Sequence, residues 1–389
     1  MKNILKREQI QNEALQAWVK NNKRGTVEII TGLGKTKIAM EAIKLLPKTS
    51  KILFLAEVKD REKELRNEAK KWKVNHKIDF LCYQSAYKLT KQKYDLVIAD
   101  EIHDSLTTKY SEFYTNNQFS YILGLSATVD AKAWADEDNE ITKGDMIKTI
   151  APVCYTYNID DGQRDGTSRK LNIHVIRHKL DMKNKNVKAG NKKKPFMQTE
   201  WSAYQYWSKQ MAQAFYMPEN IKLFRIRTSS AARAKILWNL ESKSKATKIL
   251  CEKLEIKKKR TIIFGNSLEA LEKITSNVVS SNNDDKTNIK IRENFDKKKT
   301  NLIGSFKKLK QGANLVDLDT CIIMSYYSKS KDLIQRIGRM RNDGTLGNVY
   351  IFMTMGTQEE KWFDSMFKDT DSLNMIYYNN INDCIKKIK

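Results

Sequence analysis

The sequence predicts an α/β protein with two domains, each built on a parallel β-sheet. Short and almost continuously apolar segments alternate with segments of helical periodicity, an alternation typical of parallel sheets covered by helices on both faces. The 389 residues are enough for two cores of ordinary size, and a hydrophobic fraction of 40% is typical of a folded chain. We expect a first domain over residues 1–155 and a second over residues 156–389.

The first domain is expected to begin with a helix over residues 5–22, with Ile10, Leu15 and Trp18 facing inward. The residues between 131 and 165 have a weak pattern, and we expect a linker there. Strands are predicted at residues 26–30, 51–57, 78–84, 94–101 and 120–128, and further helices at 37–46 and 59–72.

The second domain repeats the alternation, with an insertion near its start. The insertion covers about residues 182–250 and consists of a polar, lysine-rich loop at 182–196 followed by helices. Strands are predicted at residues 171–180, 260–266, 288–294, 301–306, 319–324 and 348–354.

Aromatic side chains are concentrated in the helical part of the insertion. We favour a helical core packed against the second sheet, and the alternative is that these rings stack on bases. The loop before them carries Lys192, Lys193 and Lys194, which are either phosphate contacts or solvated surface. The aromatic residues concerned are Trp201, Tyr204, Tyr206, Trp207, Phe215 and Tyr216.

The charge of the chain predicts a polyanionic partner. Lysine and arginine number 71 against 46 acidic residues, which gives a net charge of +25 and an isoelectric point near 9.6. The alternative is a codon bias that enriches lysine, because the chain is also rich in Asn and Ile. The charge does not distinguish DNA, RNA and an anionic membrane surface as the partner.

Several function classes are disfavoured. We expect no membrane span, because no run of eighteen apolar residues occurs, and no secretory signal. The five cysteines are scattered, which predicts a reduced, cytoplasmic protein (in the host cytoplasm if the chain is viral) without a zinc framework. His174 and His178 have a metal-like spacing, but they lie in a segment that alternates like a strand, and we expect no zinc there.

A phosphate-binding turn is predicted where the first strand meets the next helix, at TGLGKT. Backbone N–H groups of such a turn bind phosphate oxygens, so Gly32 and Gly34 are candidate ATP-binding residues. Lys35 can reach the β- and γ-phosphates, and the Thr36 hydroxyl can ligate Mg²⁺. The upstream glycine of the full P-loop pattern is absent, so only the shorter form is present.

An acid pair follows the apolar strand in YDLVIADEIH. Asp100 and Glu101 come at its carboxyl end, which is the edge where open parallel sheets bind ligands. Asp100 can hold Mg²⁺, and Glu101 can orient or deprotonate the attacking water. The alternative, that the two acids only begin a loop, is disfavoured by the phosphate-binding turn upstream.

Two further segments complete the set. GLSATVD places small hydroxyl side chains after a strand, although this tripeptide is common and weak alone. QRIGRMR, residues 335–341, offers arginines whose guanidinium groups could stabilise charge on a γ-phosphate in the transition state.

TGLGKT, DEIH, SAT and QRIGR stand in the order, and at about the spacing, of motifs I, II, III and VI of the superfamily 2 DExH-box helicases. LFLAEVKDREKELRNEAKKW, DFLCYQSAY, RTIIFGNSLEALEKI and LKQGANL resemble the motifs between these. The chain looks most like phage helicases of the UvsW type and is similar to XPB-like and Swi/Snf-like DNA motors. The resemblance implies two tandem RecA-like domains, with ATP and Mg²⁺ bound between them.

The resemblance also implies roles for single residues. LKREQ near the start is similar to the L-R-x-x-Q pattern of these families, which implies that Gln9 contacts the adenine. His103, Ser126 and Thr128 would couple the nucleotide site to the nucleic acid.

The last motif implies residues that reach the nucleotide from the second domain. Gln335 would face the nucleotide, and Arg339 would be an arginine finger. The family usually has a further arginine at the position of Asn342, whereas this chain has Arg341. Either the helix is shifted slightly or Arg341 reaches the nucleotide from one position earlier, so the identity of the second finger stays open.

The sequence predicts an ATP-dependent helicase or translocase. We favour a DNA helicase that acts on single-stranded or branched DNA in replication, recombination or repair, encoded by a phage, able to work as a monomer and to meet other replication or recombination proteins. The alternatives are an RNA helicase and an ATP-gated nucleic-acid clamp with little unwinding. A small-molecule kinase is disfavoured because the second domain ends in the predicted arginine fingers.

Overall fold

The polypeptide divides into two units, Met1–Arg169 and Lys170–Lys389. The computed structural model describes residues 2–57, 61–129, 131–136, 139–191, 193–306, 315, 317–327, 340, 345–367 and 373–388. The boundary between the units follows residue 169 rather than the expected 155, because elements after residue 155 pack in the first unit.

The first unit is built from strands and helices that alternate along the chain. In order these are α1 (Lys2–Lys20), β1 (Arg24–Ile29), α2 (Lys35–Lys44), β2 (Ile52–Ala56), α3 (Arg61–Lys71), β3 (Ile78–Cys82), α4 (Tyr83–Ala86), β4 (Lys93–Asp100), α5 (Thr108–Asn116), β5 (Gln118–Ser126), β6 (Trp134–Asp136), β7 (Ile141–Thr142), α6 (Lys143–Ile150), β8 (Val153–Tyr157) and α7 (Ile159–Arg164).

Six strands of this unit form one parallel sheet in the order β3-β2-β4-β5-β1-β8. The helix α1 packs on this sheet through Ile10 and Trp18, which are buried as predicted. The Trp18 indole N–H donates to the Ile122 carbonyl over 2.8 Å, so burial of the ring leaves its polar group satisfied. Because all six strands are parallel, β1 and β4 both end at the same edge of the sheet, the carboxyl edge, with β5 between them.

The predicted linker over residues 131–165 is structured. It contains a small hairpin of β6 and β7, then α6, β8 and α7. Thr142 and Asp145 form a reciprocal capping box at the start of α6, and Asn158 and Asp161 do the same at α7. These local helix-start signals, rather than a long apolar period, specify the segment.

The second unit also alternates strands and helices. In order these are β9 (Leu171–His178), β10 (Lys185–Gly190), β11 (Pro195–Thr199), α8 (Glu200–Ala214), α9 (Glu219–Trp238), α10 (Glu241–Ile256), β12 (Thr261–Phe264), α11 (Leu268–Glu272), β13 (Val278–Ser280), α12 (Asp285–Asp296), β14 (Leu302–Phe306), β15 (Thr320–Ile323), β16 (Gly347–Thr354), α13 (Gln358–Phe367), β17 (Asn374–Tyr378) and α14 (Ile381–Lys387).

Seven of these strands form a second parallel sheet in the order β13-β14-β12-β15-β16-β9-β17. Its central strands β12 and β15 are buried at every position. The predicted α/β class with two parallel sheets and a helical insertion in the second unit is confirmed.

Two secondary-structure predictions for the second unit are wrong. Residues 288–294 form part of α12 rather than a strand, because Asn288 and Phe295 are buried seven positions apart and Asp284 caps the helix by accepting from the Thr287 amide. The predicted polar loop at 182–196 contains most of an antiparallel β-hairpin formed by β10 and β11.

The aromatic residues of the insertion divide between core and surface. Tyr204 is buried with Leu237 and Leu240, as expected for a helical core. Four of the others are exposed: Trp201, Tyr206, Phe215 and Tyr216. The expectation that these rings form a core is therefore wrong for most of them.

Buried polar groups join the insertion to the second sheet. The Ser242 hydroxyl donates to Glu200 Oε2 over 2.5 Å, and His178 Nε2 lies 2.8 Å from the same hydroxyl oxygen. Beside them, Lys243 and Glu359 form an ion pair at 2.8 Å, with both side chains fully buried. The first turns of α8, α10 and α13 are thus fixed to each other.

His174 and His178 lie on β9, as predicted, and have separate partners. His174 lies 2.9 Å from the Tyr378 hydroxyl and 3.0 Å from Asn348 Oδ1, whereas His178 contacts Ser242. In the described ranges, no three His, Cys, Asp or Glu side chains are grouped as metal ligands. No helix among the described residues has the length and apolar character needed to cross a membrane.

Candidate active site

The turn between β1 and α2 has the backbone of a phosphate-binding loop. Gly32 and Gly34 both have left-handed φ angles, +94° and +89°. The φ of Gly34 favours glycine, and a Cβ there would lie 2.6 Å from Gln11 Nε2, so the Gln11 amide would have to shift. α2 begins at Lys35, and its first-turn N–H groups are positioned to bind an anion at the sheet edge.

Gln11, which the sequence analysis did not single out, holds this loop from α1. Its Nε2 donates to the Leu33 carbonyl over 2.6 Å, and its side chain is 6% exposed. Its Oε1 is also buried and has no hydrogen-bond partner among the described residues. The sequence signal was the helical stripe that Gln11 shares with Ala14 and Trp18, both fully buried.

Gln9 lies on a different side of α1, and its predicted contact with the adenine stays a prediction. Two positions along an α-helix differ by about 200° in direction, so Gln9 faces away from the loop that Gln11 contacts. Gln9 Nε2 donates to Glu13 Oε1 over 2.7 Å on the exposed side of α1, where it lines an open groove with Tyr155.

The acid pair lies at the end of β4, as predicted. Asp100 is the last residue of the strand and is 5% exposed, and Glu101 follows in a left-handed conformation with φ of +52°. The Lys35 ammonium lies 2.8 Å from Glu101 Oε1, and the two side chains are 10% and 16% exposed. The structure therefore brings together the predicted phosphate-binding lysine and the predicted water-orienting carboxylate.

Arg61 also belongs to this site, although nothing in the charged stretch around it distinguished it by sequence. Its Nη2 lies 2.9 Å from Asp100 Oδ2, and its Nη1 lies 2.7 Å from Glu64 Oε2. Although burial lowers the pKa of Arg61, the charges of Asp100 and Glu64 raise it above its usual range. The Asp100 carboxylate is thus paired with a cation of the chain itself.

The three predicted coupling residues form a connected group. His103 is buried in a 3-10 turn, and its Nδ1 lies 2.7 Å from the Ser126 hydroxyl at the end of β5. That hydroxyl donates to the Thr128 carbonyl over 2.8 Å. On the other side, the Lys143 ammonium donates to the His103 carbonyl over 2.6 Å. These bonds join the acid-pair loop to the loop after β5 and to α6.

Glu28 is a third residue that the sequence analysis did not assign to the site. Its Oε1 accepts from the Val129 amide over 2.8 Å, which fixes the loop after β5 to β1. Burial raises the pKa of the Glu28 carboxyl, whereas the Val129 hydrogen bond and the Lys35 charge lower it by less. This carboxylate therefore links the phosphate-binding side of the sheet edge to the loop that carries Thr128.

The remaining predicted residues come later in the sequence, after residue 169. Lys193 and Lys194 are exposed in the turn between β10 and β11. Lys192, Gln335, Arg339 and Arg341 lie outside the described residues, and their roles stay predictions.

Two family models match the chain, one in its first unit and one in its second unit. The model for the res subunit of type III restriction enzymes matches residues 4–77 and 57–131, which contain the phosphate-binding loop and the acid pair. The model for the helicase conserved C-terminal domain matches residues 227–344. The chain is a superfamily 2 helicase. Its family implies ATP-dependent activity on nucleic acid.

Individual relatives of this helicase are distant in sequence. The DNA 3'-5' translocase XPB2 of Sulfurisphaera tokodaii is 22% identical over 362 residues, which are 85% of this chain and 77% of the relative. An XPB-like similarity, expected from the motifs, is therefore confirmed.

Solved structures of two proteins bound to nucleic acid share the fold. The ATP-dependent type ISP restriction-modification enzyme LlaBIII bound to DNA has a TM-score of 0.61 and 14% identity over 95% of this chain, which spans only 31% of that enzyme. Dbp5 of S. cerevisiae bound to RNA and ADP BeF3 has a TM-score of 0.59 and 12% identity, covering 97% of this chain and 92% of that one. These likenesses establish two tandem RecA-like domains.

Proposed function

We propose that this helicase is an ATP- and Mg²⁺-dependent DNA motor that translocates on, or unwinds, single-stranded or branched DNA. The observation that carries the proposal is the contact of Lys35 with Glu101 at 2.8 Å, where the amino end of α2 meets the carboxyl end of β4. A phosphate-binding lysine beside a water-orienting carboxylate is the arrangement that ATP hydrolysis needs.

The described residues supply one side of a hydrolysis site. We assign the loop from Gly32 to Gly34 and the ammonium of Lys35 to the β- and γ-phosphates. Glu101 then orients the attacking water and accepts its proton at a carboxylate oxygen. Lys35 and Glu101 form an ion pair at 2.8 Å, so binding of phosphate by Lys35 would compete with this pair for the ammonium.

The residues present fit Mg²⁺. The carboxylate of Asp100 and the hydroxyl of Thr36 are hard oxygen ligands, and the buried Asp100 carboxylate already has a cation, Arg61, at 2.9 Å. When bound, Mg²⁺ would neutralise charge on the phosphate oxygens. Asp100 and Thr36 are the residues that would hold it.

Gln11 takes the role that the motifs suggested for Gln9. It holds the Leu33 carbonyl with its amide nitrogen, and its Oε1 is a buried acceptor beside the loop. An adenine amino group is a suitable donor for such an acceptor. Gln335, Arg339 and Arg341 remain the proposed contributors from the second unit.

The charge favours a polyanion of any kind, and the comparisons favour DNA among the polyanions. The net charge of +25 favours a polyanion, and binding through phosphates would be salt-dependent and tolerant of sequence. The XPB2 relative is described as a DNA translocase, and LlaBIII is bound to DNA. RNA is the alternative, as in the Dbp5 complex. The phage origin stays a prediction.

Steady-state ATP hydrolysis tests the proposal. We would measure the rate for the chain alone and with single-stranded DNA, forked DNA and RNA, at several salt concentrations. We expect strong stimulation by DNA and its loss in Glu101→Gln. Glu293→Gln is the matched control, because Glu293 is an exposed carboxylate on α12 that pairs with Lys297.

The possible outcomes distinguish a DNA helicase from an RNA-dependent enzyme, a nucleic-acid clamp and a translocase that does not unwind. Stimulation by RNA alone would replace the DNA assignment. Tight DNA binding without hydrolysis in any condition would leave a clamp. DNA-stimulated hydrolysis without strand displacement on a labelled fork would identify a translocase that does not unwind.

A further inference from the structure

The insertion of the second unit carries an exposed aromatic and aliphatic surface. We call the residues 185–238, comprising β10, β11, α8 and α9, the aromatic hairpin. Tyr216 is 92% exposed, Phe224 is 67% exposed and Phe215 is 53% exposed. Further exposed apolar side chains of the hairpin are Phe196, Met197, Trp201, Tyr206, Ile221 and Leu223. Single exposed apolar residues are common, but a concentration of this kind marks an interaction surface.

The base of the aromatic hairpin is fixed to the second unit. The Tyr204 hydroxyl accepts from Arg233 Nη2 and from the Gln358 amide, both over 2.8 Å. At the start of α8, the fully buried Glu200 accepts from the amide and hydroxyl of Ser242. The exposed end, between residues 215 and 228, therefore extends from an anchored base.

The end of the hairpin has no buried residue to explain its apolar content. Between residues 215 and 228 every side chain is exposed or half-buried, so all faces of the first part of α9 are accessible. The rings here do not pack into the core of their own unit. These rings are therefore accessible to a partner from outside the unit.

The charge of this segment identifies the class of partner. Residues 182–240 contain nine lysines and three arginines against two glutamates, a net charge of +10, and one of the glutamates is the buried Glu200. On α9, Lys222, Arg225 and Arg227 alternate with apolar side chains. Alternating cations and exposed rings match a single strand, whose phosphates need cations and whose bases need flat apolar surfaces.

We propose that the aromatic hairpin is a second nucleic-acid contact, which binds single-stranded DNA by stacking bases on Phe215, Tyr216 and Phe224. The cations of α9 hold the adjacent phosphates. This contact rests on the proposed DNA function, and it adds a base-stacking surface outside the sheet edge that hydrolyses ATP. It binds without nucleotide and without preference for sequence, because every base has a face that can stack.

The test compares two ligands of equal charge. One is a single-stranded oligodeoxynucleotide, and the other is an abasic strand of the same length, which keeps the phosphates and lacks the bases. Fluorescence anisotropy with the full chain and no nucleotide measures both. We expect the wild type to prefer the strand with bases, and the double variant Tyr216→Ala, Phe224→Ala to lose about thirtyfold or more in affinity for it.

Matched variants separate stacking from charge and from folding. Ile256→Ala removes an apolar side chain that is 74% exposed at the end of α10, outside the hairpin, and should bind as the wild type does. The double variant Lys222→Gln, Arg225→Gln should lower the affinity for both the strand with bases and the abasic strand, and it should reduce the salt dependence of binding. The aromatic double variant should leave the salt dependence unchanged. Thermal unfolding of each variant checks the fold.

A photocrosslinking experiment locates the contact. Strands carrying 5-iododeoxyuridine should crosslink to peptides of the hairpin, and mass spectrometry identifies them. Crosslinks confined to other segments, or equal affinity of wild type and aromatic double variant for the strand with bases, would overturn the proposal.

The same variants also test two other partners of the aromatic hairpin, a second copy of the chain and a membrane surface. Unchanged DNA binding together with lost self-association, measured by sedimentation, would assign the hairpin to contacts between copies of the chain, and lost binding to anionic vesicles would assign it to a membrane surface. If the wild type bound no DNA at all, the DNA function itself would fail. Wild-type binding with unaffected aromatic variants would overturn the hairpin contact alone.

Discussion

The Arg61 guanidinium lies 2.9 Å from Oδ2 of Asp100, the carboxylate that we assign to Mg²⁺. Asp100 is 5% exposed, and a buried carboxylate without a compensating cation is costly. Arg61 supplies that compensation from the first residue of α3. A cation of the chain and the metal would thus share one carboxylate, so binding of the metal is expected to be in competition with this ion pair.

Arg61→Gln is predicted to lower the Mg²⁺ concentration needed for nucleotide binding by about fivefold, because a partly exposed ion pair is worth ~1 kcal/mol. A fluorescent ADP analogue, titrated at increasing Mg²⁺, measures the half-saturating metal concentration without hydrolysis. Arg66→Gln is the control, since Arg66 lies on the same helix and pairs with Glu62 instead. A higher Mg²⁺ requirement in Arg61→Gln would mean that Arg61 positions Asp100 rather than competing with the metal.

Gln11→Ala is predicted to raise the KM for ATP by about tenfold, because the Leu33 carbonyl loses its donor and the adenine loses its proposed acceptor. Gln9→Ala is the matched control from the same helix and should leave KM within twofold. Initial rates over a range of ATP concentrations at saturating DNA measure both. A raised KM in Gln9→Ala with an unchanged KM in Gln11→Ala would restore the assignment made from the motif alone.

The sequence predicted the central strands of both sheets, but it missed the edge strands β8, β13 and β17 and the β-hairpin of the insertion. Strands such as β2 and β12 are buried at every position, so a continuous apolar run predicts them without knowledge of their neighbours. The segment at 288–294 alternates like a strand, but only tertiary contacts show that Asn288 and Phe295 are the buried positions. A local period of two was outweighed there by a helix cap and a helical stripe.

Some residues of the site could be predicted from local sequence patterns, and others could be found only from tertiary contacts. Lys35, Asp100 and Glu101 belong to segments whose spacing along the chain carries their chemistry, and the sheet edge brings Lys35 to Glu101. Arg61 and Glu28 act through contacts with residues 39 and 101 positions away, which no local pattern encodes. Gln11 was within reach of sequence reasoning, because a polar residue on a buried helical stripe needs a partner.

Lys243→Met is predicted to destabilise the second unit by ~3–5 kcal/mol, because it leaves the fully buried Glu359 carboxylate without its cation. Adding Glu359→Gln should recover a large part of this loss, since the amide oxygen can still accept from the Thr354 amide, as Glu359 Oε2 does over 3.0 Å. Urea denaturation followed by tryptophan fluorescence gives the free energies of unfolding.

Lys245→Met is the control for this pair. Lys245 lies on the same helix, its side chain is 72% exposed, and its pair with Glu241 is 3.8 Å long. Its loss should change the free energy of unfolding by less than ~0.5 kcal/mol. If the double variant were no more stable than Lys243→Met, charge burial would not be the cause of the destabilisation.

His178 is predicted to make the stability of the second unit depend on pH. Burial and, to a smaller extent, the charge of Lys243 lower the pKa of His178 to about 3. The unfolded chain binds this proton near pH 6.5, so it takes up the proton before the folded chain does. Stability from this residue is therefore fully present above pH 6.5 and is lost as the pH falls from there towards 3, by up to ~1.4 kcal/mol per pH unit.

His178→Gln removes the titration and keeps a donor for Ser242, whose hydroxyl is committed to Glu200 and whose oxygen accepts from His178 Nε2. Free energies of unfolding at pH 7.5 and pH 5 should therefore differ by about 2 kcal/mol less in the variant than in the wild type. The variant keeps every other titratable group of the chain, so the comparison isolates the titration of residue 178. An identical loss of stability in the two proteins between pH 7.5 and 5 would show that His178 is not held neutral by its burial.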